Sequence, residues 1–176
     1  MKVSETPLEG FLVIEPRIYK DERGFFLETY QEERYKKAGI TDDFIQDNHS
    51  RSSNGVLRGM HFQVERPQAQ IVTVMRGRIF DVAVDLRKKS KTFGKWHGVE
   101  LDENSDLRQV YMAPGFAHGF LVLSKYADLH YKVSGIYDST DEGGLFWNDS
   151  DVGIQWPGKN FNVNQRDSNF SKLKEL

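Results

Sequence analysis

"QIVTVMRGRIFDVAVDL", residues 70–86, decides the fold. Two runs rich in β-branched residues flank Arg76–Gly77, and such a pair reads as a tight turn between antiparallel strands. In the second run Phe80, Val82, Val84 and Leu86 share one face, with Asp81 and Asp85 opposite. That alternation predicts a half-buried antiparallel strand. Working outward, similar short runs recur as "GFLVIEPRIY" (10–19), "FFLETY" (25–30) after a turn at Gly24, "WHGVEL" (96–101), "RQVYM" (108–112), "GFLVLS" (119–124) and "DLHYKVSGIY" (128–137). Residues 56–77 as a whole suit the wall of a small β-barrel. Only "QEERYKKAG" (31–39) reads as a helix, with Gly39 as its stop. There is no βα alternation, glycine-rich phosphate loop or internal repeat, so an all-β sandwich or barrel is expected. The apolar "GFLVIEP" reads as an open edge suited to pairing with a second subunit.

The chain has 176 residues, enough for one domain with a proper core, and its 12% aromatic content argues against disorder. A net charge of −2 gives no general attraction to nucleic acid or an anionic membrane, so neither is an expected partner. Any phosphate recognition must come from a local group of Arg or Lys. With no cysteine, disulfides, thiolate catalysis and thiolate metal sites are excluded. No apolar run approaches the roughly 20 residues of a membrane helix, and a cytoplasmic, soluble protein is expected.

Five histidines are candidates for chemistry. His97 and His130 read as structural strand residues, and His49 has no distinctive company. His61 in "LRGMHFQ" and His118 in "APGFAHGF" stand out. A metal-binding barrel wants His-x-His, a carboxylate and a later His. Gln63 stands where the second ligand should be, and Glu65 with His118 would complete only three. A metal is therefore not expected, which leaves His61 free to act as a base, since an imidazole with an ordinary pKa of about 6.5 accepts protons near neutrality.

"DERGFFLETY" (21–30), "FIQDNHSRSSNGVLRGMHFQ" (44–63), "GRIFDVAVDLRKKSKTFGKW" (77–96), "YMAPGFAHGFLVLS" (111–124), "YKVSGIYD" (131–138) and "WNDSDVGIQWP" (147–157) together resemble the dTDP-4-dehydrorhamnose 3,5-epimerase family in order and spacing over nearly the whole chain. The resemblance implies a cupin-type jelly roll with a few short helices, one domain over 1–176 whose C-terminal tail reaches the active site, and a homodimer. It implies a nucleotide-diphosphate keto-deoxysugar substrate and no metal or cofactor. The implied reaction inverts C3 and C5 of a 4-keto-6-deoxyhexose. Both carbons flank the C4 ketone, so a base can remove a proton, an enolate forms, and an acid reprotonates the opposite face.

Residue by residue, the resemblance makes His61 the base, Asp167 its carboxylate partner and Tyr131 the acid. Arg23 and Arg58 match contacts to the diphosphate, where a planar guanidinium gives paired charge-assisted bonds. Glu28, Gln46 and Asn48 match nucleotide contacts, Tyr137 an aromatic stacked on the base, and His118 a sugar contact. Phe26, Asp47 and Glu142 complete the implied substrate-binding set. One position departs: Gln70 stands where the family usually has Lys. A neutral amide bonds an oxyanion less strongly than an ammonium. The alternatives are then a single-carbon epimerase, or one acting on another nucleotide sugar such as a CDP-linked one. A non-catalytic sugar-nucleotide binder and a metal-dependent oxygenase are the rivals from other classes.

Overall fold

A computed structural model describes residues 1–176. Thirteen strands run as β1 (Lys2–Glu5), β2 (Phe11–Glu15), β3 (Ile18–Asp21), β4 (Gly24–Leu27), β5 (Gln46–Ser53), β6 (Leu57–Gln63), β7 (Gln70–Arg76), β8 (Arg78–Asp85), β9 (Trp96–Asp102), β10 (Gln109–Met112), β11 (Phe116–Val122), β12 (Tyr126–Val133) and β13 (Glu142–Gly144). One α-helix, α1 (Glu32–Lys37), precedes β5. Its first turn is held by the Gln31 side chain accepting from the Arg34 N–H, and Gly39 ends it at φ +90°.

Two antiparallel sheets face each other, ordered β1-β2-β10-β7-β12-β5 and β13-β6-β11-β8-β9, while β3 and β4 form a separate hairpin. This is the expected all-β jelly-roll architecture. Between the sheets lies a core that includes Phe11, Val72, Val74, Val110 and Leu129 from one side and Ile79, Ala83, Leu101, Phe116 and Phe120 from the other. Burying a large apolar side chain stabilises by roughly 1.5–3 kcal/mol, so this layer dominates the stability. Both outer faces are also covered. Tyr35 of α1 and Ile40 pack with Ile14, Ile71 and Tyr111, while Trp156, Val152 and Leu145 pack on Leu57, Val82 and Val84.

That double covering corrects two expectations. β8 is a central strand buried on both faces, and Asp81 and Asp85 are fully inaccessible rather than solvent-facing. Asp85 is fully partnered, whereas Asp81 is bonded through Oδ2 alone and its Oδ1 is buried without a partner. Asp85 accepts from Arg87, Ser90 and Thr92, and Asp81 meets His118. The apolar first run is likewise no edge: β2 pairs with β1 and β10, and β1 occupies the edge. The polar β5 is the other edge of that sheet.

At one end the space between the sheets is lined by polar side chains. Here β6 and β11 come unusually close. A Cβ on Gly59, whose φ is +118°, would lie 2.6 Å from the Gly119 Cα, and one on Gly119 would lie 2.7 Å from the Arg58 carbonyl. Only glycine fits either position. The ladder shifts register between His118 and Phe120 at this point.

Candidate active site

A cavity of about 280 Å³ opens there, lined from one sheet by Arg58, His61 and His118 and from the other by Asn48, Ser50, Gln70 and Tyr131. Strand alternation explains one wall, where Asn48 and Ser50 are two apart on β5 and share a face. On the other wall His61 lies opposite His118 and Arg58 opposite Phe120, and the register shift between these pairs lets Arg58 and His61, three apart, both reach the cavity.

His61 is held from behind. Its Nε2 lies 3.0 Å from Asp167 Oδ1, and Asp167 sits in a 3-10 turn, Asp167–Asn169, with no exposed surface. The second oxygen, Oδ2, accepts the Gly59 N–H at 2.9 Å, and Asn164 accepts the Asp167 N–H. Burial alone would push this carboxyl's pKa up. The hydrogen bonds from His61 and Gly59, with the charge of His61 and a further hydrogen bond from Arg166, outweigh that and hold it down to about 2. Asp167 is therefore a carboxylate at any working pH.

Arg166 Nη2 also lies 3.0 Å from His61 Nε2. A guanidinium only donates and a carboxylate only accepts, so one ring nitrogen cannot serve both. The buried, ionised Asp167 has the stronger claim. Nε2 carries a proton donated to Asp167, and the other ring nitrogen keeps the lone pair that can accept one. Arg166 then turns its remaining donors to Asp167 through Nε at 3.1 Å and to Glu142 through Nη1.

Tyr131 stands on β12, in the opposite sheet from His61. Its hydroxyl is 3.1 Å from Ser50 Oγ, and its ring meets His118 edge-on at 6.3 Å. Burial, above all, pushes the phenol up to about 12, with the nearby Asp81 charge adding to it and Ser50 and Arg58 opposing. The hydroxyl therefore carries its proton near neutrality. His118 is itself fixed by a 2.8 Å contact from Nε2 to Asp81 Oδ2.

The remaining implied residues divide by place. Arg58, Asn48, Gln70, His118, Tyr137 and Glu142 line the cavity with His61 and Tyr131. Tyr137 stands exposed at the rim, its hydroxyl donating to Glu142 at 3.0 Å and its N–H to Gln46 at 3.1 Å. Gln46 in turn donates to Asn48. Asp47 points the other way along β5 and pairs with Lys132 at 2.6 Å, outside the cavity. Arg23, Phe26 and Glu28 also lie outside it. They sit on or beside the β3–β4 hairpin, where Arg23 pairs with Asp21 and Glu28 with Arg34. Ser50 and Arg166 line the cavity but were not singled out in the sequence. Both neighbour residues that were, since Arg166 precedes Asp167 and Ser50 lies two after Asn48.

A carboxylate-anchored imidazole and a protonated phenol on facing walls can remove a proton from one face of a flat centre and return one to the other. Proteins with this architecture give the group a name. The sequence profile of a family described as dTDP-4-dehydrorhamnose 3,5-epimerase matches residues 5–175. A protein of that name from Methanothermobacter thermautotrophicus is 47% identical over 175 residues, covering 97% of this chain and 94% of its own. The crystal structure of dTDP-6-deoxy-D-glucose-3,5-epimerase from Legionella pneumophila, in complex with dTDP-4-keto-L-rhamnose, superposes with a TM-score of 0.95 at 44% identity, over 98% of this chain and 93% of that one. A dTDP-4-dehydrorhamnose 3-epimerase from Streptomyces niveus is 40% identical, over 99% of this chain and 85% of its own. The chain belongs to the dTDP-4-dehydrorhamnose 3,5-epimerase family.

Proposed function

We propose that this enzyme inverts C3 and C5 of dTDP-4-dehydro-6-deoxy-D-glucose to give dTDP-4-dehydro-L-rhamnose. The observation that carries the reading is that base and acid come from opposite sheets: His61, anchored by Asp167, from β6, and Tyr131 from β12. Inversion needs a proton acceptor on one face of the sugar ring and a donor on the other, and a ring slotted between the sheets meets both. His61 takes the proton next to the C4 ketone, the enolate spreads its charge onto the C4 oxygen, and Tyr131 protonates the opposite face. Arg58 and Arg166 supply positive charge at the cavity for the substrate's diphosphate. Asn48, Gln70 and His118 offer neutral or imidazole donors to the sugar.

The same reading places a second copy of the chain at this site and the assembled enzyme in the cytoplasm. The hairpin exposes Tyr19, Phe25 and Phe26 at 49, 61 and 69%; Tyr137 is exposed at the cavity rim, and Ile45, Val64 and Ile136, chain neighbours of Gln46, Gln63 and Tyr137, are exposed as well. Apolar surface of that size seeks cover. A partner's hairpin laid on the rim would bring its Arg23, Phe26 and Glu28 to the nucleotide.

Proton NMR of the substrate in heavy water tests the function. Loss of the C3 and C5 signals with appearance of the L-rhamno product is expected, and His61→Asn should abolish both while leaving binding intact. Full exchange in His61→Asn would overturn the assignment. Gln70 on the cavity wall favours a second reading, a single-carbon epimerase, for which one signal alone would disappear.

A further inference from the structure

We propose that Ser50 is a positioning residue for the acid: it donates to the Tyr131 oxygen, aims the phenolic proton at the substrate and holds the phenolate once that proton has left. The inference rests on Tyr131 being the acid. Ser50 Oγ is the one side-chain partner of the Tyr131 hydroxyl, at 3.1 Å, and has no other hydrogen bond of its own. The arrangement is built into the strand register. Tyr131 lies opposite Asn48 in the β12–β5 ladder, which makes Ser50 its diagonal neighbour on the same face.

An acid must present its hydrogen to the carbon it protonates. If Tyr131 donated to Ser50, that hydrogen would point away from the substrate. Ser50 has no competing acceptor, so its own hydrogen is free to turn toward the Tyr131 oxygen, leaving the phenolic hydrogen for the cavity. In the transfer the Tyr131 O–H bond breaks and a C–H bond forms at C3 or C5. The enolate carbon–carbon electron pair becomes that bond, the C4 carbonyl reforms, and the negative charge is left on the Tyr131 oxygen. That oxygen is in a site where burial strongly disfavours charge, and the Ser50 bond is the leading influence in the other direction. Ser50 is half-buried on the edge strand β5, so the phenolate takes a proton back from the solvent side rather than through the core, which regenerates the phenol.

The test combines ultraviolet difference titration of the tyrosine, against Tyr131→Phe, with steady-state kinetics across pH. Ser50→Ala should lower kcat roughly 10-fold with KM unchanged and move the Tyr131 ionisation to higher pH. Ser50→Thr, which keeps the hydroxyl, should restore most of both. In the Tyr131→Phe background Ser50→Ala should cost nothing further in residual proton exchange. An unchanged ionisation and kcat in Ser50→Ala, or a fully additive loss in the double variant, would overturn the proposal. Complete inversion by Tyr131→Phe would instead overturn the assignment of Tyr131 as the acid, whatever Ser50 does.

Discussion

Asp167→Asn exchanges one oxygen for an NH2 group and leaves the volume unchanged, so its effect isolates the charge. Asp167 is inaccessible to solvent and reaches only His61, Gly59, Asn164 and Arg166. No substrate contact is lost, and KM should stay within twofold. The base loses a charge-assisted bond worth about 1.5–3 kcal/mol, which corresponds to a fall in kcat of roughly 10- to 150-fold. Stability should fall as well. The native carboxyl is held down to about 2, against an unfolded value near 3.9, and this difference of nearly two units is about 2.5 kcal/mol. A depressed pKa stabilises above the unfolded value and is lost as pH falls through the folded one. Urea unfolding at neutral pH should therefore show the full gap between the two proteins, and the gap should narrow as pH drops from about 4 toward about 2. A variant with wild-type kcat, or a stability gap that does not change with pH, would refute the argument that Asp167 charges and orients His61.

Tyr131→Phe should still let His61 remove a proton and return solvent deuterium from the same face, so NMR should show slow exchange without an inverted product. Gln70→Lys should place a cation on the cavity wall beside the developing oxyanion and raise kcat several-fold, with the C3 to C5 product ratio read in the same spectra. Gly59→Ala should clash with Gly119 and the His118 carbonyl, push β6 from β11 and disturb the N–H that Asp167 accepts, lowering melting temperature and activity together. Leu129→Ala, in the core between the sheets, should destabilise by about 2–5 kcal/mol in chemical unfolding.

The strands that build the core were legible because their alternation reports burial. Residues 70–76 and 78–85 form β7 and β8 on either side of the turn at Gly77, as the apolar pattern requires. β5 was not legible. Its sequence "QDNHSRSS" is polar throughout, since one face meets solvent and the other forms the wall of a polar cavity, so no apolar period marks it. Asp81 and Asp85 misled for the converse reason. A carboxylate in an alternating strand normally marks the wet face; here His118, far along the chain, holds Asp81 inside, and the Arg87–Thr92 loop that follows β8 folds back to hold Asp85. For the site, the motifs named His61, Tyr131 and Asp167, and the structure brings His61 and Tyr131 to one cavity with Asp167 buried behind His61. The same motifs could not indicate that Asp47 points away along β5, or that Arg23, Phe26 and Glu28 sit on a projecting hairpin, because neither strand facing nor hairpin direction is written in a short motif.

His61 and Tyr131 belong to different sheets, and that arrangement makes the gap between the sheets a stereochemical gauge. Packed sheets stand about 10 Å apart, a spacing set by side chains such as Val72, Phe120 and Leu129 rather than by any group in the cavity. A thicker or thinner core would change how far the reacting ring stands from each jaw, and with it the odds that a released carbon recaptures its proton from the side it lost it. Handedness of the product is in this sense a property of the filling of the sandwich. Core substitutions well away from the sugar become a means of tuning one inversion against two.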